Sequence, residues 1–549
     1  MDFPIPDLEF NSRRSPVLGR RGMVAASQPL AVAVGLQVLA QGGNAADAAV
    51  ATAAALNVTE PTSTGIGGDC FALFYDAGTR RVSALNGSGR APSALTLERL
   101  QREGFGDVLP PFHPYTITVP GACAGWCDLV AVHGRLPLEI VLAPAIRLAD
   151  QGFPVSPVTS YFWQRGAGRQ LRHAPGGSEL TIAGRGPRPG EIFRNPGLAR
   201  TLRAVAGGGK QAFYEGEIAE AIAAAVQGAG GCLRLEDLAG HHSDWEEPIS
   251  VNYRGLRVWE CPPNGQGLAA LLGLNLLDGF DLAALPPLSA ARLHLEIEAM
   301  RLAFADARWY VADPSFNPAP LDALLSPEYA AGRRRLIDPA RATLDQRRGS
   351  PHAASDTVYL SVVDGDGSAC SFINSNYMGF GTGIVPPGWG FTLQNRGHNF
   401  SLDPGHPNAL KPGKRPYHTI IPALATKPDP SGGDELFASF GVMGGFMQPQ
   451  GHLQVVVALA DDGLDPQAAL DRPRFCIQDG AAGGAVALEA GIPAQVLAEL
   501  REMGHPVESV SGHARALFGR GQVILRDAQS GVLWGGSDPR ADGCAMVVI

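Results

Sequence analysis

Basic runs, long apolar stretches and paired cysteines are all missing from this sequence, and each absence removes a class of protein. Positive charge is scattered: beyond short clusters such as Arg333-Arg334-Arg335, which reads as a solvated helix face, nothing offers nucleic acid or anionic lipid a surface. The net charge of −9 points the same way. A long low-charge stretch, residues 31–58, is broken by Gly42, Gly43, Asn44 and Asp47, whose polar groups are costly in lipid, so it predicts a buried helix pair and no membrane span. At the start, MDFPIPDLEFNSRRSPVLGRRG has acids and prolines where a secretory signal carries a basic segment and an apolar core; a cytoplasmic protein is expected.

Eight cysteines are spread along the chain, and the one close pair, Cys123 and Cys127, lacks the spacing and the histidine of a zinc knuckle or a redox pair. Reduced, mostly buried thiols are expected. The stretch GIGGD lacks the Lys-Ser/Thr of a phosphate loop and the spacing of a dinucleotide fingerprint. HLEIE at His294 sets carboxylates at i+2 and i+4, which reads as a salt-bridged helix face before it reads as a metal site. No metal and no organic cofactor is implied.

What remains is a chain with 45% hydrophobic and 18% charged residues, the balance of a globular protein with a large core and two to four structural units. Helical patterning dominates the first part: Asn44 is placed to cap AADAAVATAAALNV, two amphipathic helices follow between residues 198 and 231, and LHLEIEAMRLAFADARWYVADP is a long helix stopped near Pro314. TSTGIGGDCFALFYD is a glycine turn running into a strand, and residues 248–260 alternate as one strand. From 315 to 356 the pattern is irregular and exposed. Short strands follow, with helices near 464–472 and 493–503 and a last strand pair at 521–526 and 544–549. Stacked sheets covered by helices, an α+β or α/β layered protein, are expected, with no internal repeat.

In TVYLSVVDGDGSACSFINSN, Val358, Leu360 and Val362 share one strand face, and Asp364-Gly365-Asp366-Gly367 supplies the turn of a hairpin. Folding about that turn sets Thr357 opposite Asn374 or Ser375, the register being fixed to about one residue. A threonine there is ordinarily just a good strand former. Eight stretches, however, occur together in one order: QGGNAADAAVATAAALNVTEPTSTGIGGD, GEIFRNPGLARTL, AFYEGEIAEAI, EAMRLAFADARWYVADP, DTVYLSVVDGDGSA, FGTGIV, KRPYHTIIPAL and GGSDPRADG. Together they resemble the gamma-glutamyltranspeptidase family of N-terminal nucleophile hydrolases over nearly the whole chain.

The resemblance implies a four-layer αββα sandwich and an inactive precursor cut at its own nucleophile. Carried onto this sequence, the cut falls between Asp356 and Thr357, giving a large subunit, 1–356, and a small subunit, 357–549. Thr357 becomes nucleophile and, through its freed amine, base; Ser375 orients it, and Gly444 and Gly445 match the glycines whose N–H groups hold the oxyanion. Partners are then a small amide substrate and the two subunits, as a heterodimer or a dimer of heterodimers, without nucleic acid or membrane.

The resemblance breaks where the transpeptidases grip a glutamyl group. Their arginine, aspartate and serine pair fall on Ser88, Asn399 and His418-Thr419; Arg90 is two places away, and Tyr377 stands where they carry an asparagine. Neutral serine cannot replace an arginine–carboxylate contact. The span from Pro407 to Lys414 also leaves no room for a lid loop. Relatives of the family include cephalosporin acylases and an oxamate amidohydrolase; this variation leans toward the latter branch and predicts an autoprocessing hydrolase of a small amide, with oxamate as a candidate. A glutathione hydrolase or gamma-glutamyltransferase reading glutamyl by other residues is the first alternative, and an uncleaved binding protein of the same fold the second.

Overall fold

The alanine-rich segment after Asn44 forms the helix Ala45–Thr59, buried along its whole length, and Asn44 caps it as expected: its side chain accepts from the N–H groups of Ala46 and Asp47 while Asp47 returns a bond to the Asn44 N–H. In the computed structural model, which describes residues 14–345, 357–429 and 432–549, this helix lies with Pro29–Ala40, Leu138–Gln151 and Pro196–Tyr214 on one face of a seven-stranded sheet. That sheet runs Cys544–Val547, Gly22–Ala26, Val358–Asp364, Ala369–Ser375, Asp69–Asp76, Arg81–Gly87, Asp244–Glu246. The second sheet runs Val17–Gly19, Leu533–Ser537, Arg520–Arg526, Asp434–Met443, Ala423–Pro428, Leu256–Glu260, Ile249–Tyr253, and is covered by Gly267–Leu277, Ala290–Tyr310 and Met447–Ala460. The order is helix, sheet, sheet, helix, the four-layer αββα sandwich.

The sheets meet across small residues. Tyr359 lies flat against Gly441, where a Cβ would come within 2.6 Å of its ring, and Ser361 Oγ donates to Ser439 Oγ at 2.6 Å. Val358, Leu360 and Val362 pack outward into the helix layer, so Thr357, Tyr359 and Ser361 face the gap between the sheets.

Several local readings change. Residues 248–260 are two strands, Ile249–Tyr253 and Leu256–Glu260, because Arg254 and Gly255 both take positive φ and close a tight hairpin inside an otherwise alternating pattern. The terminal strands are not partners: Arg520–Arg526 pairs with Leu533–Ser537, while Cys544–Val547 crosses to edge the other sheet. In the irregular segment, Ser326 caps a helix Pro327–Arg334, and Leu321–Leu324 is a single turn. Of the arginine cluster, Arg335 is exposed as expected, but two members dock: Arg333 pairs with Asp306, and Arg334 donates to the carbonyls of Leu276 and Asn275. Residues 346–356, Asp356 among them, lie outside the described residues. Both seven-stranded sheets draw strands from both sides of Thr357, so chains 1–356 and 357–549 would share both sheets.

The cysteines are all unbonded to one another, six buried and two half-buried. Among the described residues, no helix is long and apolar enough to cross a membrane. The stretch GGSDPRADG builds a buried ion network: Asp538 meets Arg540 at 3.0 Å and Arg474 at 2.9 Å, and Arg540 meets Glu489 at 2.5 Å. Burial opposes ionisation of Asp538, but Arg540 and Arg474 outweigh it and hold the carboxyl below its ordinary range. Asp538→Ala leaves the buried Arg474 without its carboxylate, while Arg540 keeps Glu489, and is expected to cost about 3 kcal/mol of stability, read by chemical denaturation.

Candidate active site

Three adjacent strands bring one row of polar side chains into the gap. Pairing of Val358 with Asn374 sets Thr357 opposite Ser375, and Ser375 pairs with Asp69 on the next strand. Thr357 Oγ1 lies 3.1 Å from Ser375 Oγ, both fully buried. Ser375 Oγ accepts from the Tyr377 N–H at 2.8 Å and from Arg396 Nη2 at 3.3 Å, which biases its own proton toward donation. Tyr377 makes that bond by adopting φ +78°, a left-handed conformation uncommon for a bulky residue.

From the other sheet comes the turn at Gly444 and Gly445, with φ +133° and +62°. Its carbonyls are tied away: Gly444 O accepts from Met447 N, and Gly445 O from Gln448 N at 3.2 Å and Gln266 Nε2 at 2.8 Å. Gln448, at the start of the helix that follows, also directs Nε2 at Thr357 Oγ1, 3.5 Å away. The glycine turn is thereby held beside the threonine.

Behind the row sits a buried charge cluster. Arg396 donates from Nη1 to Thr419 Oγ1 at 2.7 Å, stacks 4.3 Å above the Tyr377 ring, and lies 3.9 Å through Nε from Asp69 Oδ2, too far for a hydrogen bond. Asp69 is otherwise engaged: Oδ1 accepts from the N–H groups of Gly89 and Gly121, and Oδ2 faces His418 Nε2 at 3.1 Å. Ile420 N–H points at His418 Nδ1, so Nε2 carries the proton and donates to Asp69. Burial pushes Asp69 up to about 6 against the pull of Arg396, drives His418 well down so that it stays neutral, and lowers Arg396 to about 10.

Of the residues expected at the site, Thr357, Ser375, Tyr377, His418 and Thr419 are joined in this network, and Gly444 and Gly445 adjoin it. Asn399 lies one step out, accepting from the Tyr377 hydroxyl and lining a cavity of about 660 Å³ with Arg308, His406 and Tyr417. Ser88 and Arg90 are directed elsewhere. Ser88 Oγ donates to Asn86 Oδ1 at 2.7 Å, and Arg90 pairs with Asp244 at 3.0 Å beside His242.

Asp69, Arg396, Gln448 and Gln266 were missed. Arg396 had a signal, being the one Lys, Arg, Asp or Glu between Asp366 and Asp403; a charge so isolated in an apolar and glycine-rich stretch has a buried use. The glutamines had none.

Away from this row, His294, Glu298 and His505 hold ligand-type atoms within 4.8 Å of one another. His294 Nδ1 is hydrogen-bonded to His505 Nε2 at 2.8 Å, and the Arg301 cation lies 3.4 Å from Glu298, so the group is closed on itself and opposes a divalent ion. Glu296, the other carboxylate of HLEIE, pairs with Arg292.

A four-layer sandwich with a hydroxyl residue heading a central strand and facing the gap defines an N-terminal nucleophile hydrolase. Residues 31–548 match the gamma-glutamyltranspeptidase family, and the chain belongs to it. It is 36% identical to the glutathione hydrolase-like YwrD proenzyme of Bacillus subtilis (96% of this chain, 99% of that one) and 35% identical to the oxamate amidohydrolase proenzyme of Klebsiella pneumoniae (95% and 98%). A solved cephalosporin acylase from Bacillus halodurans superposes with a TM-score of 0.91 at 47% identity, covering 100% of this chain and 99% of its own.

Proposed function

We propose that this enzyme is an autoprocessing amidohydrolase, cut before Thr357, that hydrolyses a small acid amide of the oxamate type through an acyl-enzyme on Thr357. The 3.1 Å contact between Thr357 Oγ1 and Ser375 Oγ, beside a positive-φ glycine pair, carries the reading. In the precursor, Thr357 Oγ1 attacks the Asp356 carbonyl, the acyl group passes from nitrogen to oxygen, and water hydrolyses the ester. The α-amine so freed, with a reference pKa near ~8, takes the hydroxyl proton in each later attack and returns it to the leaving amine. Ser375 donates to Oγ1 and orients it. The N–H groups of Gly444 and Gly445 hold the oxyanion, each worth about 3 kcal/mol.

Substrate is read by the groups nearest the row: Tyr377, His418 and Thr419, with Asn399 at the mouth. Glutamyl recognition in the transpeptidase manner is disfavoured because Ser88 is neutral and occupied by Asn86, and Arg90 is paired with Asp244. The Klebsiella relative's name supports oxamate; that of the Bacillus relative keeps glutathione as the comparator.

The expected result is two bands on a denaturing gel and turnover of oxamate at least about 100-fold above glutathione, γ-glutamyl anilides and glutaryl amides, a discrimination within reach of a site built on polar contacts. One full-length band, unchanged on incubation, defeats the processed enzyme. Preference for glutathione moves the function to the glutathione hydrolases.

A further inference from the structure

We infer that Arg396 is the anchor for a carboxylate on the acyl side of the substrate and that it restricts the enzyme to short monoamides of dicarboxylic acids. The inference deepens the function proposed above and rests on it for the position of the reacting carbonyl.

Five N–H bonds radiate from a guanidinium, and Arg396, with no exposed surface, uses two of them, toward Thr419 Oγ1 and Ser375 Oγ. Its Nε is buried with no hydrogen-bond partner. Leaving a buried cation so poorly satisfied is costly, and such a group calls for an explanation. Asp69 does not supply one. Its Oδ1 is taken by Gly89 and Gly121, its Oδ2 faces His418, and at 3.9 Å from Nε it balances the charge without hydrogen-bonding the donor. A planar carboxylate does, because its two oxygens match adjacent guanidinium N–H groups. The Tyr377 ring beneath fixes the plane on which that carboxylate is met.

Acyl length follows from position. One hydroxyl, Ser375 Oγ, is all that separates Arg396 Nη2 at 3.3 Å from Thr357 Oγ1 at 3.1 Å. A carbonyl within attacking distance of Oγ1 therefore has its carboxylate one or two bonds away. Oxamate spans the gap directly, malonamate nearly so, and a glutaryl chain fits only by folding back.

The test compares oxamate with neutral oxamide, and oxalate binding as a readout independent of turnover. Matured wild-type enzyme is expected to favour oxamate over oxamide by about 30-fold or more in kcat/KM, the usual cost of an unmatched charged partner. The preference declines through malonamate, succinamate and glutaramate. In Arg396→Gln the oxamate-to-oxamide ratio falls to within about threefold of unity, and oxalate binding by calorimetry weakens about 30-fold or more. The ratio is the measure, because Arg396 also touches Ser375. An unchanged ratio in the variant, or equal oxalate binding by variant and wild type, overturns the assignment. Should Arg396→Gln fail to fold, the wild-type series decides alone: no preference for the anion, or none for the short chain, overturns it. A processed wild type that turns over none of these amides yet binds oxalate through Arg396 defeats the proposed function and leaves the anchor standing.

Discussion

Thr357→Ala is expected to yield one uncut chain with no amide turnover. In the proposed mechanism a single oxygen serves both reactions: it attacks the Asp356 carbonyl during maturation and the substrate carbonyl afterwards. Ser375, 3.1 Å away, heads no chain and can free no α-amine. Loss of an N-terminal nucleophile that is also its own base removes both halves of the machinery, and kcat should fall by at least about 10⁴-fold. The gel shows whether the cut is made, mass spectrometry of the small chain shows where, and an amide assay reads turnover. Thr357→Ser keeps hydroxyl and amine and is expected to mature and turn over more slowly, because the threonine methyl that packs the buried hydroxyl is gone. A cleaved, active Thr357→Ala protein would remove Thr357 from both roles.

What could be read from the sequence was what local periodicity and turn chemistry dictate. The Asp364–Gly367 turn fixes the hairpin, the hairpin fixes which residue faces Thr357, and the structure chooses Ser375. Asn44 announces its helix because capping is a contact over three residues. Contacts made across the chain left no such trace. Asp69 reaches the site because Asp69–Asp76 happens to neighbour Ala369–Ser375 across some 300 residues of sequence, a pairing that alternation alone cannot specify. Arg396 meets Thr419 and Ser375 from a short helical turn, Arg396–Asn399, with no periodic signature. Alternation also hid the hairpin at Arg254-Gly255, since two short strands flanking a tight turn keep nearly the same alternating pattern as one long strand. Resemblance to the family named the positions of Ser88 and Arg90; only the hydrogen bonds to Asn86 and Asp244 show that they are committed elsewhere.

Gly444→Ala is the second large effect, and its cause is backbone geometry. At φ +133° an L-residue is strained by about 1–3 kcal/mol, and the added Cβ would sit 3.2 Å from Gly519 Cα and 3.3 Å from Met447 Cβ. The neighbouring backbone has little freedom to yield. Gly445 O is gripped by Gln266 and Gln448, so relief comes from rotating the 444–445 peptide, which breaks the bond from Met447 N to Gly444 O and redirects the Gly445 N–H. A misdirected oxyanion donor is worth about 10²- to 10³-fold in kcat, with KM little changed because the ground-state carbonyl gains little from that donor. In the proposed mechanism maturation passes through a tetrahedral oxyanion formed by the same threonine oxygen, so its rate should fall alongside kcat. A gel time course of the precursor and steady-state kinetics of the matured variant measure the two. Parallel losses place both oxyanions on the same glycines; a folded variant with wild-type kcat and a wild-type cleavage rate would take the glycine turn out of the chemistry, leaving Gln448, on the helix that follows, as a donor directed at Thr357.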